Sequence, residues 1–114
     1  MKDIKHLNIT ENEREAIQVA SKMLKEKFPV TKVALFGSKA RGDDDDESDI
    51  DLLLLTYRPV SWAERKDINA ALYDIQLSYS VIISTLIATD KDWDKGPFSV
   101  MPIHEEVHKD GIWT

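Results

Sequence analysis

The stretch FGSKARGDDDDESDIDLLLL, Phe36–Leu55, joins a glycine–serine turn, a run of acids and a run of leucines. Seven carboxylates lie between Asp43 and Asp51, and four leucines follow directly. Residues two apart in a strand point to the same face, roughly 6–7 Å from each other. Asp49 and Asp51 would therefore share one face, where two carboxylates can bind a hard cation through oxygen. Taken alone, such a pair more often ends a solvated loop.

Gly37 and Ser38 lie at the end of the preceding apolar segment. Glycine allows a ligand to approach the backbone closely, and a serine that begins a helical turn leaves amide groups facing outward, which suits an anion. Lys39 and Arg41 add positive charge nearby. Alone, this is an ordinary strand-to-helix turn. Together with an acidic pair on the next strand, it suits nucleotidyl transfer, in which a metal neutralises a triphosphate held by its phosphates.

The same residues resemble the signature G-S-x10-D-x-D of the polymerase-β-like nucleotidyltransferases, and in particular the minimal nucleotidyltransferase (MNT) group. The C-terminal stretch PFSVMPIHEEVHKDGIWT is also similar to the tail of that group. The resemblance extends over nearly the whole chain and implies a nucleotidyltransferase core. The positions that agree with the group's pattern are Gly37, Ser38, Ala40, Arg41, Gly42, Ser48, Asp49, Asp51 and Leu52.

The resemblance implies a role for each site residue. Gly37 and Ser38 would hold the nucleotide phosphates, and Asp49 and Asp51 would be the catalytic pair that binds one or two Mg²⁺ ions. ATP, or another nucleoside triphosphate, would donate its nucleoside monophosphate to an acceptor hydroxyl. Arg41 would either contact the triphosphate or have a structural role against the acidic loop.

The sequence departs from the family at one place. Active members carry a third carboxylate on the next central strand, but the corresponding segment, Val81–Thr89, contains no Asp or Glu. Asp74 and Asp90 flank it at positions that do not fit. The enzyme could therefore be weak, be completed by a partner, or activate its acceptor otherwise. The alternative is a catalytically inactive, antitoxin-like module that binds a nucleotide and a partner.

The minimal group also implies a partner. Its usual companion is a small helical HEPN protein, and in some such toxin–antitoxin pairs the transferase adenylylates a tyrosine of the toxin. An antitoxin role follows as an expectation from the resemblance. The acceptor, the nucleobase preference and any self-association into a homo-oligomer remain open.

The pattern of helices and strands predicts an α/β (α+β) fold, with a small mixed β-sheet and helices packed mainly on one face. Two helices are predicted over TENEREAIQVASKMLKEKF and SWAERKDINAALYDI, each beginning with a capping box. The predicted strands are Val33–Phe36 within VTKVALF, then DIDLLLLTY and SVIISTLIAT, while SKAR is a predicted helical turn and FSVMPIHEEVHKDG a last short helix. All of this is expected to form a single domain over residues 1–114.

The composition of the chain excludes or disfavours several other classes of protein. The chain has 114 residues, no cysteine and a net charge of −6, and five of its negative charges lie in Asp43–Glu47, where we expect a solvated, mobile loop. Disulfides and thiolate metal sites are excluded, and a broad basic face for duplex nucleic acid is not expected. No apolar run approaches the roughly 18 residues of a membrane helix, and the polar N-terminus is unlike a signal peptide. We expect a soluble, cytoplasmic protein without a membrane partner.

One competing motif is HEEVH, His104–His108, which matches the zinc-protease pattern H-E-x-x-H. Only six residues follow it, so a downstream third ligand is missing, and Pro102 keeps the helix short. The interpretation we favour is a polar terminal helix with Ile103 and Val107 as its core face.

Overall fold

A computed structural model describes residues 9–42 and 49–114, and the loop expected at residues 43–47 lies outside them, as does Ser48. The strands are β1 (Val30–Phe36), β2 (Ile50–Thr56), β3 (Ile83–Thr89) and β4 (Ile112–Trp113). The α-helices are α1 (Glu11–Lys27), α2 (Gly37–Arg41), α3 (Trp62–Tyr79), α4 (Asp90–Asp94) and α5 (Pro102–Asp110), and a 3₁₀ turn spans Pro97–Val100.

The strands form one mixed sheet in the order β3-β2-β1-β4. β1 runs antiparallel to both β2 and β4, whereas β2 and β3 are parallel. Parallel neighbours require a crossover connection, and α3 supplies it. The mixed α/β fold predicted from the sequence is thus confirmed.

The leucine run of β2 is buried on both faces of the sheet. Leu52 and Leu54 belong to a cluster with residues of α1 and α3, and we call this side the α1 face. Leu53 and Leu55 pack instead with residues of α4, the 3₁₀ turn and α5, on what we call the α5 face. A strand that is covered on both faces needs apolar residues at every position, which explains why the sequence shows no alternation here.

Both long helices begin as predicted. Thr10 accepts a hydrogen bond from the backbone of Glu13 while the Glu13 side chain accepts one from Thr10, and Ser61 and Glu64 form the same capping box on α3. These two helices share the α1 face, in line with helices mainly on one face. The α5 face is covered by shorter elements.

Several details differ from the sequence-based prediction. β1 begins at Val30 rather than Val33, α3 continues past the predicted segment to Tyr79, and β3 begins only at Ile83. The last helix is divided into the 3₁₀ turn and α5, because Met101 adopts an extended backbone before Pro102. α4 and β4 were not predicted at all. Within the described part of the chain, no helix is both long and apolar enough to cross a membrane.

Candidate active site

Gly37 and the carboxylate of Asp51 lie against each other at one end of the sheet. Phe36, the last residue of β1, is paired in register with Asp51 of β2, so the turn that follows β1 passes directly over this side chain. Gly37 has φ +77°, a conformation that favours glycine, and a Cβ built on it would overlap Oδ2 of Asp51. Only glycine therefore allows the backbone turn to pack directly against this carboxylate.

Asp49 lies just before β2, is exposed, and is linked to β3. The Ser84 hydroxyl donates a hydrogen bond to Oδ2 of Asp49 at 3.2 Å. Ser84 is also the residue of β3 that is paired in register with Asp51. The place on β3 nearest the acidic pair is therefore occupied by a hydroxyl, which cannot act as a carboxylate near neutral pH.

Asp51 is half-buried among charges of both signs. Burial raises its pKa, and the negative charges of Asp49 and Glu106 raise it further, while Arg41 acts in the opposite direction. The Arg41 guanidinium donates a hydrogen bond at 2.8 Å to Oε1 of Glu106. An arginine of α2 and a glutamate of α5 are thus within electrostatic reach of Asp51.

The helical turn α2, which begins at Gly37 and contains Ser38, is attached to both layers of the molecule. Lys39 is only 1% exposed and forms an ion pair with Glu13 of α1. Burial acts to raise the pKa of Glu13, but its hydrogen bonds with Lys39 and Thr10 outweigh this and lower the pKa overall. Arg41, two residues later, reaches α5 instead.

The structure places the predicted site residues in one region. Gly37, Ser38 and Arg41 all belong to α2, and Asp51 adjoins the first of them. Asp90 follows β3 and was considered as a replacement for the missing third carboxylate. It lies at the other end of the sheet, where it accepts a hydrogen bond from Thr31 at 2.9 Å. It therefore takes no part in this site.

Glu106 is the residue that sequence reasoning missed. It lies within HEEVH, three residues after Ile103 and next to Val107, both of which pack on the α5 face. Glu106 thus lies at the edge of the apolar stripe of α5 and is partly buried, a position that was visible in the sequence. Its proximity to Arg41, 65 residues earlier in the chain, was not.

The histidines of HEEVH face a different part of the molecule. The ring of His104 lies 4.7 Å from that of Trp93, and both histidines line a cleft of about 430 Å³ together with Asp94 and Trp113. Among residues 9–42 and 49–114, no three His, Cys, Asp or Glu side chains are grouped so as to hold a metal ion. Val107 is buried and Ile103 packs beside it, which agrees with the prediction that these two residues form the core face of α5.

Comparison with known families decides the identity of this core. The family described as "Nucleotidyltransferase domain" matches residues 17–106, which include the glycine–serine turn, the acidic pair and most of α5. The chain belongs to the nucleotidyltransferase domain family. The resemblance drawn from the G-S-x10-D-x-D signature is therefore confirmed.

Proteins from Methanocaldococcus jannaschii are similar in sequence to this chain. The protein described as "Putative protein adenylyltransferase MJ0141" is 37% identical over 81 residues, which cover 71% of this chain and 80% of the relative. A second, "Putative protein adenylyltransferase MJ1217", is 37% identical over 62 residues, or 54% of this chain, and the match spans only 63% of the relative's length.

Solved structures share the fold at low identity. A structure described as a "putative minimal nucleotidyltransferase" has a TM-score of 0.60 and 20% identity, with 92% of this chain and 97% of that chain covered. The crystal structure of a toxin–antitoxin with AMP-PNP also gives 0.60, at 16% identity, with 91% and 72% covered. At these identities the likeness shows the fold.

Proposed function

We propose that this protein is a Mg²⁺-dependent nucleotidyltransferase that transfers AMP from ATP to an acceptor hydroxyl. The observation that supports the proposal is the closeness of Gly37 and the Asp51 carboxylate, the two groups to which we assign phosphate binding and metal binding. The family membership and the adenylyltransferase names of the relatives support the same reaction class.

The residues present fit a divalent cation and a triphosphate. Asp49 and Asp51 offer oxygen ligands, which Mg²⁺ prefers, and the absence of a side chain at Gly37 lets the backbone turn lie directly against the Asp51 carboxylate. A bound cation would neutralise the charge that develops on the phosphoryl oxygens. Arg41 stands close enough to influence Asp51 and is suited to bind phosphate oxygens in a fork.

Each side chain contributes positioning rather than covalent chemistry. The backbone turn at Gly37 and Ser38 would hold the phosphates, so that the acceptor oxygen attacks the α-phosphorus in line. The bond to the bridging oxygen breaks, pyrophosphate leaves, and the proton of the acceptor hydroxyl passes to solvent. Ser84 fixes the orientation of the Asp49 carboxylate through its hydrogen bond. The half-buried setting of Asp51 strengthens these interactions relative to water.

We further propose that the acceptor is a tyrosine hydroxyl on a small helical HEPN toxin, with this chain as its antitoxin in the cytoplasm. The support is that structures with the same fold are toxin–antitoxin complexes, one described as MntA-HpeT and one solved with AMP-PNP. Protein adenylyltransferase names among the relatives agree with a protein acceptor.

The test is incubation with Mg²⁺, a purified HEPN protein and ATP labelled on the α-phosphate. Label on a tyrosine of the acceptor, and none from ATP labelled on the γ-phosphate, is the expected result, because adenylyl rather than phosphoryl transfer is proposed. Asp51→Ala should abolish labelling, whereas Asp90→Asn, at the far end of the sheet, should leave it unchanged. Absence of transfer together with absence of nucleotide binding by calorimetry would refute the proposal.

A second candidate function is a non-catalytic module that neutralises its partner by binding alone. The observation that favours it is Ser84, a hydroxyl at the β3 position nearest the acidic pair. In that case the double variant Asp49→Ala/Asp51→Ala would still neutralise the toxin in a growth assay. An enzyme would lose this protection.

A further inference from the structure

Three large apolar side chains are exposed near the place where α3 ends and β3 begins. Tyr73 and Leu77 are 58% and 62% exposed and lie four residues apart on α3, so they share one side of the helix. Ile82, just before β3, is also 62% exposed. Among the described residues β3 is an edge strand, so no further strand covers this side of the sheet. We call these three side chains the α3–β3 patch.

A hydrogen bond holds the two parts of the patch together. Gln76 lies on the same side of α3, three residues after Tyr73 and directly before Leu77. Its side-chain oxygen accepts a hydrogen bond from the backbone N–H of Ile83 at 2.9 Å. The beginning of β3 is therefore fixed against the last turns of α3, and Ile82 belongs to the same surface as the two helix residues.

The α3–β3 patch adjoins the acidic pair. The carbonyl oxygen of Ile82 accepts a hydrogen bond from the backbone N–H of Ile50 at 2.9 Å, and Ile50 directly follows Asp49. Two residues after Ile82, the Ser84 hydroxyl donates to the Asp49 carboxylate at 3.2 Å. A molecule that covers the patch would thus lie beside the carboxylates to which we assign metal binding.

We propose that the α3–β3 patch is the docking surface for the protein that presents the acceptor hydroxyl, and that this partner carries apolar side chains flanked by lysine or arginine. The inference rests on the proposed function. Charge points to a basic partner, because Asp49 and Asp74 are exposed next to the patch and the whole chain has a net charge of −6. Complementary charges orient and accelerate such an encounter.

A second copy of this chain fits the patch less well. A symmetric dimer would place the same surface on both sides, so that exposed Asp49 and Asp74 would meet carboxylates of the other copy. Three side chains are also few against the roughly 20–30 residues that each partner of a stable interface contributes. A small patch suits a transient encounter, which a transferase needs because it must release the modified acceptor.

The test is a calorimetric titration with the purified HEPN protein of the labelling experiment, without nucleotide. Leu77→Asp should weaken its binding by about tenfold or more, because a charge enters an apolar contact. Ile82→Thr, which keeps a β-branched residue, should weaken binding less. Val100→Asp is the matched control, since Val100 is 86% exposed but belongs to the 3₁₀ turn on the α5 face, and it should bind as the unmodified protein does.

Labelling rates separate the docking surface from the reaction. Leu77→Asp should raise the KM for the HEPN protein by about tenfold and leave the KM for ATP unchanged. Labelling with the same KM for the HEPN protein in Leu77→Asp and the unmodified protein would overturn the docking surface while the transfer activity stands. Binding that depends on the patch, without any labelling, would support the surface and refute the reaction. No binding to the unmodified protein would overturn the surface.

Charge and self-association provide two further outcomes. Asp74→Lys should weaken binding of the HEPN protein several-fold at low salt and less at high salt, because salt screens exposed charges. Unchanged or tighter binding would overturn the basic partner. Sedimentation of the chain alone should show a monomer, and a dimer that Leu77→Asp dissociates would overturn the inference by assigning the patch to a second copy. Thermal melts of each variant establish that the fold is retained.

Discussion

The two faces of the sheet use the same strand for different purposes. On the α1 face, β2 contributes Leu52 and Leu54 to a cluster formed with two helices of 17 and 18 residues. On the α5 face, Leu53 and Leu55 are covered by helices of five and nine residues, and the strand begins with Asp51 on this side. The long helices secure the fold, while the short ones leave one end of their face open for charged groups.

The comparison predicts that stability and activity can be lost separately. The largest effect is expected at the open end, where Asp51→Asn should lower the rate of adenylyl transfer by about a thousandfold or more, because a bound metal contributes several kcal/mol to the transition state. The melting temperature should not fall. Rates measured with saturating Mg²⁺ and ATP check this, and a rate within about tenfold of the unmodified protein would contradict it.

On the α1 face, Leu54→Ala should lower the free energy of unfolding by about 3 kcal/mol, since the Leu54 side chain is fully buried between the sheet and two long helices. Leu53→Ala is the matched change on the α5 face and should cost less, because shorter helices can move to fill part of the cavity. Urea titrations of both variants compare the two faces directly. Equal losses would mean that the α5 face is as rigid as the α1 face.

Gly37→Ala should destabilise the protein by about 1–2 kcal/mol, since alanine disfavours the left-handed conformation. Gly42→Ala is the natural control, because Gly42 has φ +81° but a Cβ added there would meet nothing within 4 Å. Only Gly37→Ala should also weaken ATP binding, since only its methyl group would displace the Asp51 carboxylate. Calorimetric melts would report the backbone strain that both variants share, and calorimetric ATP titrations would report the loss of ATP binding expected only for Gly37→Ala.

The smallest effects concern the pH dependence of stability in metal-free buffer. Asp51 on the α5 face and Glu13 on the α1 face should change the free energy of unfolding with opposite signs as the pH rises. The pKa of Asp51 is raised, so its contribution to stability is full below about pH 4 and is lost as pH rises through its folded pKa. Asp51→Asn should therefore gain stability over the unmodified protein at neutral pH but not in acid.

The pKa of Glu13 is lowered, so its contribution is present above the unfolded value, about 4.3, and is lost as pH falls through the folded pKa. Glu13→Gln should be less stable at neutral pH and lose less on acidification. Melting curves from about pH 3 to 7 test both signs, and parallel curves for either variant would contradict its prediction.

The long elements and the acidic pair were predictable because their signals are local. Capping boxes, helical spacing and the leucine run of β2 each need only neighbouring residues. α4 and β4 span five and two residues, too short for any periodicity to appear. Glu106 was missed because its ion pair with Arg41 depends on how α5 docks through Ile103 and Val107, which no local pattern states.

The helical turn α2 has a consequence beyond its own five residues. It is too short to be stable alone in water, so its shape depends on its attachments, with Lys39 bound to α1 and Arg41 to α5. The geometry of its first residues thus depends on the separation between two layers. A protein or small molecule that changed this separation would alter nucleotide affinity from a distance, without contacting the nucleotide.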